Sequence, residues 1–159
     1  MKRITVVVAA CVLALATGGV ALAGGVSGMA TGGAKYVATT DNLAQIDFNA
    51  KIGPNGPQGR VHRRVLDMSG NFVREFVGSV NCYSQQGNVA RFSGVITNSI
   101  NDDPALNGQY FLWVVQDNGE GASAPPDLVK VDRATTPYDC TASQMMPTQP
   151  VDNGSIQVR

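Results

Sequence analysis

The chain is short of the residues on which most chemistry at protein sites relies. It has one histidine and three cysteines in 159 residues, with 15% charged residues and 6% aromatics. A zinc site wants three or four soft ligands, and cysteines and a histidine spread so thinly are poor material for one. Any Ser–His–Asp or Cys–His mechanism has to use His62, where arginines on both sides disfavour the imidazolium that a general base must become. No G-x-S-x-G stretch is present to form a nucleophile elbow. Neither sign of charge is in excess, at 12 basic and 12 acidic residues, so nothing electrostatic points to nucleic acid. No ten-residue stretch carries a persuasive period of 3.6 and no internal repeat is visible, which argues against helical and solenoid classes.

The one long apolar run is N-terminal, in "MKRITVVVAACVLALATGGVALAGG". Lys2 and Arg3 form a basic start, residues 4–16 are apolar apart from one threonine, and Gly18 and Gly19 break any helix. Ala21 and Ala23 have the small side chains that a signal peptidase accepts, so residues 1–23 read as a signal peptide cut after Ala23. The run falls short of the ~20 residues needed to span a bilayer, so no transmembrane segment is expected in the mature chain. A competing lipoprotein reading, with "VAAC" at 8–11 leaving Cys11 acylated, would leave only about six apolar residues before the cut, short of the usual h-region. Removal of 23 residues leaves 136, with 10 basic and 12 acidic, a net charge of −2; that is enough chain for one domain and one core. Cys82 and Cys140 then remain as an even pair in an oxidising compartment, and one disulfide is expected between them.

Residues 24–43 are rich in Gly, Ala and Thr and read as a flexible tether, the alternative being that Tyr36 and Val37 start an edge strand. A single all-β domain is expected over 44–159. In "QIDFNAKI" the residues Ile46, Phe48, Ala50 and Ile52 alternate with polar ones, the signature of a strand with one buried face. Further strands are predicted over 60–67, 72–83, 89–97, 109–117, 127–132 and 154–159, separated by turn residues. Gly78 is expected at a bulge or close contact. The strand over 109–117 is apolar on both faces, as for a central strand covered on both sides, and Trp113 is expected to be buried. About seven strands without a helix predict a β-sandwich or a small open barrel.

Two clusters are candidate sites. Alternation along "RVHRR" puts Arg60, His62 and Arg64 on one strand face, a row of ~13 Å, suited to an anionic polymer or lipid headgroup; a solvated, aggregation-resistant edge strand would show the same pattern. In "VVQDNGEGASAPPDLVKVD" the hard oxygen donors Asp117, Glu120, Asp127 and Asp132 are close enough in sequence to suggest calcium. The D-x-[DN]-x-[DN]-G loop pattern is missing, and Asn118–Gly119 is a strong turn signal, so a turn standing out from the sheet end is the preferred reading. No cofactor motif is present, and none is expected.

The run "VNCYSQQGNVARFSGVI", the later "FLWVVQDNGEG" and the terminal "NGSIQV" resemble a group of small exported bacterial domains, mostly actinobacterial and of uncharacterised role. The resemblance covers residues 45–159 and rests on turn glycines and core apolar residues. It implies an all-β exported domain with a Cys82–Cys140 bridge, and it carries no catalytic residue with it. The functional expectation is a secreted, non-catalytic domain with a binding or structural role, its partner an envelope polysaccharide or an anionic surface. The alternative is a small secreted hydrolase whose carboxylates meet only in the fold; a concave pocket holding two close carboxylates, or an acid beside His62, would be its mark.

Overall fold

The computed structural model describes residues 28–101, 106–121, 123–142 and 145–159. The expected signal peptide, its cleavage point and Cys11 lie outside them. Nine strands form: β1 (Met29–Thr39), β2 (Asn42–Gly53), β3 (Gly56–Asp67), β4 (Phe72–Gln86), β5 (Val89–Ile100), β6 (Tyr110–Gln116), β7 (Leu128–Ala134), β8 (Gln149–Pro150) and β9 (Asn153–Val158). All belong to a single sheet ordered β8-β7-β6-β5-β4-β3-β2-β1-β9, and every pair is antiparallel.

That order dictates the shape. Strands lie ~4.8 Å apart, so nine laid flat would place the outermost two about 38 Å apart. The outermost strands are β8 and β9, and only residues 151 and 152 join them, a link that reaches about 11 Å at most. The sheet therefore has to curl, and it does so into a half-barrel. The two-residue link is held on both sides, Val151 N donating to Asp127 O beside β7 at 2.9 Å and Asp152 N to Lys35 O of β1 at 2.8 Å, and the Gln149 side-chain amide of β8 reaches across to Val37 O of β1.

All seven expected strands form, with small shifts at their ends, and β1 and β8 are additional. The sheet is one curled layer, where the sequence reading allowed a two-sheet sandwich of about seven strands. Residues 29–39, read as tether, form β1, hydrogen-bonded to β2 on one side and β9 on the other. It is not an edge strand either. Its glycines and alanines are packing residues: a side chain on Gly32 would lie 2.7 Å from Ser155 O and 3.1 Å from the Phe48 ring.

The inward face holds the main core. Trp113, fully buried, sits among Phe48, Phe76, Phe92 and Phe111 at centroid distances of 5.9, 6.4, 6.0 and 6.3 Å. Its indole N–H has no acceptor among the described residues, so van der Waals contact and burial hold the ring in place. Room for Phe111 comes from Gly78 and Gly94, where an added Cβ would fall 2.5 and 3.0 Å from its ring. Gly78 also flanks a register shift in the β4–β5 ladder, the bulge and close contact expected of it.

The outer face of β5 and β6 is covered as well. The segment that follows β7 lies over Val89, Leu112 and Val114 with Tyr138, Cys140 and Met145. It is fixed by the Cys82–Cys140 disulfide, by Ser84 Oγ to Cys140 O at 2.7 Å and by Ser93 Oγ to Tyr138 O at 3.0 Å. Strand β6 is thus covered on both sides, which is why both of its faces are apolar.

Candidate functional site

Strand alternation brings Arg60, His62 and Arg64 to the outer face of β3, as expected. The ladder register adds what the sequence alone could not: Asn49, Asp47 and Gln45 of β2 stand opposite them on one side, and Ser79, Val77 and Glu75 of β4 on the other. Glu75 Oε2 accepts from Arg64 Nε at 3.1 Å and lies 3.3 Å from His62 Nε2. On its other side His62 Nδ1 is 3.9 Å from Asp47 Oδ2. Arg60 N donates to Asn49 Oδ1 at 3.0 Å, and the Arg64 guanidinium lies 5.9 Å from the Phe72 ring centroid.

The row is therefore a mixed strip. Two guanidinium groups face two carboxylates, and the field an anionic polymer would require is largely cancelled within the strip. Burial pushes the Glu75 carboxyl up, but hydrogen bonds from His62 and Arg64, with their positive charge, outweigh it and hold the group below its ordinary value. The carboxylate expected to mark a hydrolase is present beside His62. Both imidazole nitrogens face carboxylates, however, so neither is aimed at a hydroxyl that could become a nucleophile.

Next to Arg64 and Glu75 the surface sinks into a cavity of about 620 Å³, lined also by Gln45, Leu66, Phe72 and Ile100. Phe72 and Ile100 are 43% and 44% exposed. An aromatic ring, two aliphatic side chains, a guanidinium, a carboxylate and an amide meet there. Such a mixture suits a ligand that carries both apolar faces and hydrogen-bonding groups.

The acidic loop between β6 and β7 does something else. Asp127 Oδ2 accepts the Ile156 N–H at 2.8 Å and Asp117 Oδ2 the Val158 N–H at 3.0 Å. Glu120 Oε1 accepts from Ser155 Oγ at 3.1 Å. Three of the four suggested calcium ligands thus hold the free edge of β9. The other oxygens of the two aspartates shape the loop itself, with Asn118 N on Asp127 Oδ1 and Gly119 N on Asp117 Oδ1. Asp132 sits farther along β7, opposite Leu112 and 4.0 Å from Lys130 Nζ. Among the described residues no three His, Cys, Asp or Glu side chains gather to hold a metal. The loop packs along β9 and does not stand out from the sheet end, because the edge amides need acceptors and the aspartates supply them.

A second cluster went unnoticed in the sequence. Arg63, Arg74 and Arg133 point to the barrel side of the sheet, opposite Phe76, Val65 and Phe111 respectively, and line one cavity of about 460 Å³. The signal was available: each falls in step with buried residues (Val61 and Val65, Phe76, Val129) where strand alternation calls for an apolar side chain. No protein-family model, curated protein or solved structure matches this chain.

Proposed function

We propose that this chain is an exported, non-catalytic binding domain whose outer strip on β2, β3 and β4 recognises an envelope polysaccharide. The observation that carries the reading is the charge-balanced strip itself, with Gln45, Asp47, Asn49, Arg60, Arg64 and Glu75 in cross-strand register. Sugar hydroxyls donate and accept together, and a strip alternating guanidinium donors with carboxylate and amide acceptors offers both partners at strand spacing. The exposed Phe72 supplies an apolar plane beside them for a sugar face.

The cancelled charge favours a polysaccharide over an anionic lipid surface, which would need a surplus of cations. Export is supported by the Cys82–Cys140 bridge, which belongs to an oxidising compartment, by the leader-like N-terminus and by the resemblance to small exported bacterial domains. Among the described residues no helix is long and apolar enough to cross a membrane. A half-barrel with one concave inner surface, in place of a sandwich, leaves the outer strip free of a second sheet.

The test is co-sedimentation of the purified protein with insoluble cell-wall polysaccharide and, separately, with vesicles rich in phosphatidylglycerol. Retention on the polysaccharide that survives moderate salt and is lost in Phe72→Ala or Arg64→Gln supports the reading. Retention on the vesicles alone, or on the polysaccharide with both variants unaffected, would refute it.

A further inference from the structure

We propose that the polysaccharide site continues beyond β2 across β1 to β9, over a floor made by Gly33, and takes an internal segment of an extended polysaccharide chain lying across the strands. The proposal rests on the reading of the outer strip as a polysaccharide site and fixes the ligand's length and direction. Cross-strand register carries the face onward. Gln45 stands opposite Lys35 and Lys35 opposite Asn153, while Asp47 stands opposite Gly33 and Gly33 opposite Ser155. Strand alternation puts all of them outward, on the side away from the buried Ala34, Ala44, Ile46 and Ile156.

Gly33 is the observation that points to a ligand. Glycine weakens a strand, and inside one it marks a sharp bend or a place where another group approaches closely. The other glycines inside strands answer to the fold. At Gly32, Gly59, Gly78, Gly94 and Gly154 an added Cβ would fall between 1.8 and 2.7 Å from backbone or from the Phe111 ring. Gly33 has no positive φ and is exposed. Its added Cβ would first meet the Asp47 carboxylate at 3.0 Å, the far end of an exposed side chain that can swing aside, and then Ile46 O at 3.9 Å. No contact among the described residues requires a bare backbone at this position, whereas a chain lying on the sheet does.

The missing side chain opens a cavity of about 330 Å³, with Lys35, Gln45, Asp47 and Asn153 at its wall. It shares Gln45 with the cavity beside Phe72 and Asp47 with one of about 250 Å³ beside Arg60 and His62. An ammonium group and two amides donate there, and the amides and a carboxylate accept, the same mixture that suits sugar hydroxyls in the strip. The exposed side chains of this wall are polar, where the centre of a protein interface would be apolar, so the occupant is a sugar chain and not a protein partner. From Gly33 on β1 to Glu75 on β4 is three strand spacings, about 14 Å. One sugar ring cannot cover that distance, so the ligand must be several units long.

Calorimetric titration of the purified protein with disaccharide and hexasaccharide fractions of hydrolysed cell-wall polysaccharide tests the proposal. The wild-type protein is expected to bind the hexasaccharide at least about tenfold more tightly, the scale of one or two added hydrogen bonds. Gly33→Val fills the cavity, so its affinity for the hexasaccharide should fall to that for the disaccharide. The disaccharide itself, held at Arg64 and Phe72, should bind as it does to wild type. The urea midpoint of Gly33→Val should match or exceed that of wild type, because valine favours a strand. Gly33→Ala should lie between the two proteins in hexasaccharide affinity. Equal wild-type affinity for the two lengths, hexasaccharide binding unaffected by Gly33→Val, or urea midpoints well below wild type in both variants would overturn the extension and leave the reading of the strip standing. Binding of neither fraction by the wild-type protein would overturn both.

Discussion

The Asp127 carboxylate receives the Ile156 backbone N–H at 2.8 Å with one oxygen and the Asn118 N–H at 2.9 Å with the other. One side chain thus ties the loop after β6 to the free edge of β9. An edge strand exposes a row of unpaired amides that invites pairing with other chains. Here Asp117 and Asp127 occupy the amides of Val158 and Ile156, so the acidic loop closes the seam of the sheet.

Replacing Asp127 by alanine removes two hydrogen bonds to a charged acceptor and leaves two partly buried amides, those of Asn118 and Ile156, without it. A loss of about 2–4 kcal/mol is expected, measured by urea unfolding. Asp127→Asn, which keeps one acceptor oxygen, should cost less. The alanine variant should also aggregate more readily, since the β9 edge is uncovered; light scattering at equal concentration reads this.

Gly94→Ala should be among the most damaging single changes. A Cβ at that position would lie 1.8 Å from Ser79 O, a backbone atom that cannot swing aside. We expect a cost above about 3 kcal/mol, or no folded protein. Gly70 gives the contrast: its φ is +88° but nothing lies within 4 Å of an added Cβ. Gly70→Ala should cost only about 1 kcal/mol, from backbone strain.

Reducing the Cys82–Cys140 bridge reopens a 58-residue separation and should lower stability by about 4 kcal/mol in the chain-entropy model. Local consequences should be confined to the outer face, because the bridge fixes the cover over Leu112 and Val114 and Trp113 lies on the other side of β6. In the paired Cys82→Ser, Cys140→Ser variant, limited proteolysis should cut first after β7. Tryptophan emission should stay that of a buried indole while the sheet remains folded.

The Glu75 carboxyl, held below its usual 4.5 by His62 and Arg64 against the upward pull of burial, links stability to acid. A carboxylate with a depressed folded pKa contributes fully above its unfolded value, and the contribution is lost as pH falls through the folded value. Glu75→Gln should therefore be less stable than wild type at pH 7, by about 1 kcal/mol for a pair near the surface. The gap should close in the acid range below about pH 4. Urea midpoints for both proteins across that range provide the check.

Much of the fold was legible in the sequence, for a physical reason. Strands with one wet face announce themselves by alternation, as Ile46, Phe48 and Ala50 do, and a strand covered on both sides loses it, as in β6. β1 was hidden because the curled sheet needs small side chains where β9 and the Phe48 ring approach Gly32, and small residues in a row look like a tether. The two residues of β8, one a proline, carry no period at all. At the sites, the face shared by Arg60, His62 and Arg64 followed from strand phase. Their neutralisation by Asp47 and Glu75 depends on which strands become neighbours and in what register. The same limit concealed the seam role of Asp117 and Asp127 and the meeting of Arg63, Arg74 and Arg133.

The most direct test of the binding account is backbone amide chemical-shift mapping of the ¹⁵N-labelled protein titrated with soluble oligosaccharides cut from the cell-wall polymer. The account predicts saturable shifts concentrated at Gln45, Asp47, Arg60, His62, Arg64, Phe72 and Glu75, with the arginine-lined interior unmoved. An absence of shifts at saturating oligosaccharide, or shifts confined to the β9 seam or the barrel interior, would contradict it.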